Sequence, residues 1–415
     1  MYYCVIPIFK EPFLHPLHEN NGLSALWVKP KDDKSFFIIQ KHPDSDKVLE
    51  DFKWLNEHII ITPDKKKLNH FYQFDNVVDI NHSYWEETAK PFEKHITNNA
   101  IDFLSNKFYN VKKLNEIIPL SKHNEYCSDV YKGMARPYVG GTDDYYMNEF
   151  TEAFGSIERN GIKVSDDVCD IFDMRVKKHI SNGKLYSNYN LWTTTGRPSN
   201  SFGSVNFAAL PPEKRKAFVA ENDYLVEFDF DAYHLRLIAD LVEYKFGEES
   251  VHEHLAKHYG CSYEESKQRS FRLLYGGIDK ETREKVPFFD KTYNYINKKW
   301  NEINTNKYVH TDIYKRKLIY NNYQDLNRNK VFNYLIQAYE TESNIKKILS
   351  LHHYLLDKKT KLVLYGYDSF LFDFSKQDGV ETLTEIKHIL EEEKHYTKAK
   401  MGLNYGEMLD ITKRL

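Results

Sequence analysis

Residues 225–230 read LVEFDF and residues 362–374 read LVLYGYDSFLFDF. These two stretches decide the fold. Both are rich in aromatic and branched apolar residues, as strands are. Asp229 stands at the end of the first, just before a helical pattern over 232–246. Asp368 stands in a tight turn, Tyr367-Asp368, between the two strands of the second. A carboxylate at either place lies at a sheet surface, exposed but rigidly held. Two of them on adjacent strands can share a pair of Mg²⁺ ions. Hard oxygen ligands suit that ion, and two ions about 4 Å apart stabilise both the attacking and the leaving oxygen in phosphoryl transfer. A strand-end aspartate is more often a helix cap or a turn residue, so the pair needs support from elsewhere in the chain.

Working outward, residues 263–275 form a helical pattern in which Lys267, Phe271 and Tyr275 are four apart and share one face. Gly276-Gly277 ends it. A cation, two rings and a glycine pair on one stripe suit a nucleotide, with the cation on phosphates and the rings on base and sugar. The same spacing also describes an aromatic core stripe with a solvated lysine. Residues 193–200 (TTTGRPSN) form a polar turn around Arg197, equally an ordinary loop or a contact to a phosphate backbone. Further helical patterns cover 252–258, 288–304, 326–355 and 381–393. A hairpin is expected over 309–318 and a last strand over 398–404. Helices and strands mix without βαβ alternation, which gives an α+β class. Residues 1–140 read as a small α/β unit with strands over 24–28, 35–39 and 58–61 and helices over 46–57 and 85–107. The clearest break is Gly140-Gly141, and a helix over 148–159 ends at Asn160-Gly161.

The chain has 415 residues, enough for two or three domains. A net charge of −3 excludes a uniformly basic nucleic-acid coat, while leaving room for a local basic groove. Basic clusters at 213–216, 315–317 and 358–361 either line such a path or are solvated faces. The four cysteines are scattered, so neither a disulfide framework nor a clustered zinc site is expected, and free thiols in a cytoplasmic setting are. No apolar run reaches membrane-spanning length.

In chain order, TTTGRPSN, FDFDAYHLRL, ESKQRSFRLLYGG and YGYDSF resemble the signature segments of family A DNA polymerases, and AKMGLNYGEM resembles the family's closing strand. The resemblance runs from about residue 150 to the C-terminus and is nearest to short phage polymerases. It implies a palm built on an antiparallel sheet, helical fingers, and an N-terminal exonuclease-like (RNase H-like) domain over 1–140 before a polymerase domain over 141–415. It implies that Asp229, Asp368 and the carbonyl of Phe230 hold two Mg²⁺ ions, with Mn²⁺ as a substitute. It implies that Lys267 holds the triphosphate and is a candidate acid for the leaving pyrophosphate. Phe271 would sense the sugar, Tyr275 would stack at the insertion site and His252 would contact phosphate. Arg197, Arg236, Asn333 and Gln337 would touch primer–template DNA. The substrates are then dNTPs.

Several positions depart from the family. Tyr263 stands where an arginine clamps the triphosphate. His234 stands where a glutamate gates against the ribose 2′-hydroxyl. Tyr367-Asp368-Ser369 replaces His-Asp-Glu, and Asp-Ser also occurs in related single-subunit RNA polymerases. The long thumb helices are missing, since only residues 165–194 separate the flanking motifs. The Asp-x-Glu of a proofreading site is absent, with 24–28 taken as the first strand and Asn69, His70, Asp75 and Asp79 read as solvated loop residues rather than remnants. The expectation is a DNA polymerase without proofreading, of low intrinsic processivity, helped by a processivity or thumb-supplying protein. The rival readings are a ribonucleotide-tolerant or primase-like enzyme, a gap-filling repair enzyme, and a catalytically weak replication scaffold.

Overall fold

A computed structural model describes residues 2–11, 14–92, 118–134, 144–167, 171, 172, 174–200, 205–246 and 250–415. It divides into two units. One comprises Met1–Thr193, Pro198–Glu221 and Asn404–Gly406; the other comprises Thr194–Arg197, Asn222–Leu403 and Glu407–Leu415. The glycine pair at 140–141 and the segment 93–107 of the expected second helix lie outside the described residues.

The first unit is built on strands β1 (Tyr2–Phe9), β2 (Leu23–Pro30), β3 (Phe36–Ile39), β4 (Ile59–Thr62) and β5 (Val77–Asp79), in the order β3-β2-β1-β4-β5. β1 is antiparallel to β2, and β2 to β3; β1 runs parallel to β4, and β4 to β5. The first strand is therefore Tyr2–Phe9, not the segment at 24–28. Its side chains are buried on both faces. Cys4, Ile6 and Ile8 meet Trp27, Tyr84 and Val130, while Val5 meets Leu26, Ile60 and Leu68. A central strand of this kind carries no polar alternation to announce it. The helix expected over 46–57 is only a 3₁₀ turn, Lys53–Glu57. Short polar side chains bind nearby backbone there instead, Ser45 accepting from Lys47 N–H and Asp51 from Lys53 N–H, and Leu49 has φ +52°.

Helices α1 (Lys65–Asn69), α2 (Ile80–Thr88), α3 (Leu120–Met134) and α4 (Asp144–Asn160) complete the larger elements of this unit. α2 stops where Ala89 turns left-handed. α4 stops before Gly161 at φ +63°, where a β-carbon would meet the Tyr186 ring at 3.0 Å. Small elements follow: β6 (Ile162–Lys163), α5 (Met174–Lys177), β7 (Ile180–Ser181), β8 (Lys184–Leu185), β9 (Tyr189–Asn190), β10 (Ser199–Asn200) and α6 (Pro212–Arg215).

The second unit centres on β11 (Tyr224–Phe230). The helices α7 (Tyr233–Leu241), α8 (Val251–Tyr259), α9 (Tyr263–Gly276), α10 (Lys280–Lys285) and α11 (Pro287–Asn306) follow. Next come the hairpin β12 (Tyr308–His310) and β13 (Lys317–Ile319), then α12 (Arg328–Tyr354), β14 (Lys361–Tyr365), β15 (Ser369–Phe374), α13 (Glu381–Glu391), β16 (Thr397–Asn404) and β17 (Glu407–Asp410). The sheet order is β14-β15-β11-β16-β17, with β14–β15, β15–β11 and β11–β16 antiparallel. The mixture of helices with an antiparallel sheet is the α+β class expected. The helical pattern from 232 ends early, at Leu241. Val226, Phe228, Phe370 and Phe372 are fully or nearly fully buried. The alternate residues Glu227 and Asp229 share the other face with Lys398 and Lys400 of β16, which lie opposite them in register. A second core joins α7, α8, α9 and α11 through Leu255, Leu273, Phe288 and Phe289. No helix among the described residues is long and apolar enough to cross a membrane.

Candidate active site

β11 and β15 bring the two aspartates together. Asp229 pairs in register with Ser369, and Phe230 N–H donates to the Asp368 carbonyl at 2.8 Å. The turn before β15 is tight. Gly366 N–H donates to the Ser369 carbonyl at 2.8 Å, and Tyr367 lies at φ +75°. A β-carbon on Gly366 would sit 2.5 Å from Ser369 Oγ, so a larger residue there would force that side chain to turn away. Asn344 of α12 fastens this turn by donating from Nδ2 to the Tyr367 carbonyl at 2.8 Å and the Tyr365 hydroxyl at 3.0 Å. Its Oδ1 accepts from the Tyr233 hydroxyl at 2.7 Å.

Burial first, then the charges of Asp368 and Glu227, push the Asp229 carboxyl up to about 7, against the pull of Lys400 and Lys398. Asp368 is also raised, by burial and then by the charge of Glu340, with Arg197 and His234 opposing. Two neighbouring carboxylates whose proton affinities are both raised, with a hard oxygen donor set, fit a divalent cation.

α7 is entered through Ala232, whose left-handed backbone (φ +54°) turns the chain out of β11. His234 and Arg236 sit on its first turns. Arg236 donates from Nε to the Asp231 carbonyl at 2.9 Å, pairs with the Asp231 carboxylate at 3.3 Å and lies over the Tyr396 ring. Asp231 also pairs with Lys398 at 2.7 Å.

α9 opens with a capping box of Ser262 and Glu265. Lys267 is exposed on it. Phe271 and Tyr275 are 44% and 41% exposed and stack on each other with centroids 6.4 Å apart, so this stripe faces solvent and is not core. His252 of α8 is buried beside it, its ring 5.6 Å from Tyr263 and 6.5 Å from Phe271, and burial lowers its pKa. Asn333 and Gln337 are one turn apart on α12, Gln337 Nε2 donating to Asn333 Oδ1 at 3.1 Å.

Sequence reasoning missed Glu340, which is fully buried on α12. Arg197 reaches it with Nε at 2.8 Å and a terminal nitrogen at 3.3 Å, and His234 Nε2 lies 3.2 Å away. His234 Nδ1 lies 2.6 Å from the Tyr275 hydroxyl, and the Arg197 guanidinium lies 3.8 Å above the Tyr367 ring. The turn carrying Arg197 is held by Arg316, which donates to the Thr195 carbonyl at 3.1 Å. Arg316, the middle of one basic cluster, is therefore buried inside the fold, while Lys315 and Lys317 beside it are exposed.

In the first unit, His15, His70 and Glu158 gather in a buried cluster with metal-ligand spacing. Glu158 already accepts from Lys66 Nζ, from Tyr189 N–H and from His70 Nε2 at 2.9 Å. His15 Nδ1 accepts from Leu17 N–H at 3.2 Å, which leaves its hydrogen on Nε2, the nitrogen nearest Glu158. Glu158 is thus charge-paired with Lys66 and hydrogen-bonded to His70 and the Tyr189 backbone, so the cluster does not fit a cation. His70 and Asp79 are buried rather than solvated. His70 joins this cluster, and Asp79 caps α2 by accepting from Asn81 and His82 N–H. β1, the true first strand, carries no carboxylate.

No protein-family model and no curated protein matches the chain. Among solved structures it is similar to the POL domain of Pol1 from M. smegmatis, described in complex with DNA primer-template and dNTP. The TM-score is 0.68 at 12% identity, over 98% of this chain and 96% of that one. The likeness is one of fold: the chain folds as a DNA polymerase domain does.

Proposed function

We propose that the chain is a template-directed DNA polymerase that adds dNTPs to a primer 3′-hydroxyl. The observation that carries the reading is the meeting of Asp229, at the end of β11, with Asp368, in the turn before β15, where the charge of Asp368 adds to burial in raising the Asp229 pKa. The solvent-facing stripe of Lys267, Phe271 and Tyr275 supports it. Asp229, Asp368 and the Phe230 carbonyl would hold divalent ions, Mg²⁺ by the hardness of the donors. Those ions supply the charge that acidifies the primer hydroxyl and neutralises the leaving pyrophosphate. Lys267 gives an ammonium to the triphosphate and a proton to the leaving group, with His252 beside it. Phe271 and Tyr275 stack on sugar and base. Arg197 orients the primer end, Asn333 and Gln337 reach the minor groove, and Arg236 keeps the β11–α7 corner rigid through Asp231.

The N-terminal unit is read as an exonuclease-like fold without proofreading. Three antiparallel strands followed by two parallel ones support the fold, and a first strand of YYCVIPIF supplies no metal-binding acid. Among the described residues between α4 and the Arg197 turn there are only short elements, which supports a reduced thumb, low processivity and a partner that replaces it.

Primer extension with Mg²⁺ tests the reading, with Asp229→Ala and Asp368→Ala as controls. Extension with dNTPs, lost by more than about a thousandfold in either variant, is expected. No extension by the wild-type chain, or unchanged extension by Asp229→Ala, overturns it. Runs of hundreds of nucleotides by the chain alone would sink the reduced-thumb reading.

A further inference from the structure

We infer that Glu340 is the positioning residue of the sugar gate, holding His234 so that neither ring nitrogen can receive a ribose 2′-hydroxyl. The inference rests on the polymerase reading.

A fully buried carboxylate is retained only when it is paired. Glu340 has two partners from elsewhere in the unit, Arg197 at 2.8 Å and His234 at 3.2 Å. Burial pushes its carboxyl up, and His234 and Arg197 together outweigh that and hold it below the usual range. The ionised carboxylate favours a hydrogen on His234 Nε2. Nδ1 then accepts from the Tyr275 hydroxyl at 2.6 Å. Tyr275 stays protonated, its pKa pushed up to about 12 by burial and then by Glu340. The result is one chain of contacts, Glu340 to His234 to Tyr275, that joins α12, α7 and α9.

Nδ1 of His234 is taken by the Tyr275 hydroxyl, and Nε2 is buried against the Glu340 carboxylate at 3.2 Å. A 2′-hydroxyl pressed against the ring loses water and gains no partner. A buried hydroxyl left unpaired weakens binding by roughly ten- to a hundredfold. A deoxyribose presents no such group. The negative charge of the gate thus comes from position 340 on the long helix, and position 234 supplies the bulk. Arg197 shares the same carboxylate, so primer contact and sugar selection are tied to one buried acid.

The test compares kcat/KM for dNTP and rNTP incorporation in the wild-type chain, Glu340→Gln and Tyr275→Phe. Glu340→Gln keeps the size and removes the charge. Tyr275→Phe frees Nδ1 and changes a half-exposed hydroxyl, so it tests the same chain if the buried variant does not fold. The dNTP-to-rNTP ratio is expected to fall about tenfold or more in each, by the loss of that penalty. A merely structural role would lower both efficiencies and leave the ratio unchanged. An unchanged ratio in Tyr275→Phe and in folded Glu340→Gln overturns the inference, as does a wild-type chain that does not discriminate. A wild-type chain that extends with neither nucleotide fails the polymerase reading itself, and the inference falls with it.

Discussion

Replacing Asn344 by leucine tests whether the turn that carries Asp368 is held from α12. The Asn344 side chain is fully buried and makes three hydrogen bonds, two as donor and one as acceptor. Leucine has the same number of side-chain heavy atoms branched at the same carbon, so no cavity is left and the loss is chiefly polar. The Tyr233 hydroxyl and the Tyr367 carbonyl both lose this partner. At about 1–3 kcal/mol for each unsatisfied buried group, the variant loses about 2–6 kcal/mol. Tyr367 lies at φ +75°, a conformation that non-glycine residues hold only when their surroundings enforce it. Once released, the turn relaxes and Asp368 moves away from Asp229. Denaturant unfolding should show the stability loss with an unchanged slope. Primer extension at saturating dNTP should fall more than the apparent KM changes. Tyr233→Phe in the Asn344→Leu background removes one stranded group and should recover about 1–2 kcal/mol. A loss below about 1 kcal/mol with undiminished extension would refute the reasoning, because it would mean the turn is held by its own backbone bonds.

Tyr263 lies four residues before Lys267 on α9, so Tyr263→Arg adds a second cation to the same face. The KM for dNTP should drop about tenfold in steady-state extension, the worth of one charge-assisted contact to phosphate. Burial raises the Asp229 carboxyl to about 7, so a proton competes with the cation below that pH. Mg²⁺ affinity, measured by calorimetry, should tighten about tenfold per pH unit up to 7 and then level off. His15 is lowered from 6.5 to about 4, chiefly by burial. Its unfolded form binds more protons between those values, so stability rises with pH there and is lost as pH falls. The limit is about 3 kcal/mol, and His15→Gln should flatten that part of the unfolding profile.

The parts of the fold that could be read in advance are those where one face is apolar and the other polar. β11 and β15 are legible because Val, Leu and Phe are interleaved with Glu and Asp, β14 as a short run of branched apolar residues, and α9 because Lys267, Phe271 and Tyr275 recur every four residues. β1 is not, since a strand covered on both sides has no alternation to read. The loop at 46–57 was misread because its charged residues mimic a solvated helix, while their real work is to bind neighbouring backbone.

The harder failure is α12, and it has a physical cause. Its helical length was legible, but Glu340, Thr341, Glu342, Ser343 and Asn344 are consecutive and all buried. A consecutive polar run covers every side of a helix, so no periodicity separates an inner from an outer face. Read alone, it is a solvated turn. In the fold four of the five meet a group that arrives from distant sequence. Glu340 takes Arg197 and His234, Glu342 takes the N–H groups of Ile313 and Tyr314, Ser343 donates to Glu393, and Asn344 takes the Asp368 turn. Apolar side chains such as Val331, Leu335, Ile345 and Ile348 bury the helix on either side of this run, while the run itself is placed by complementary hydrogen bonds, and those complements are a property of the whole unit. The substitutions that matter most there are accordingly isosteric ones, which leave volume alone and strand a partner.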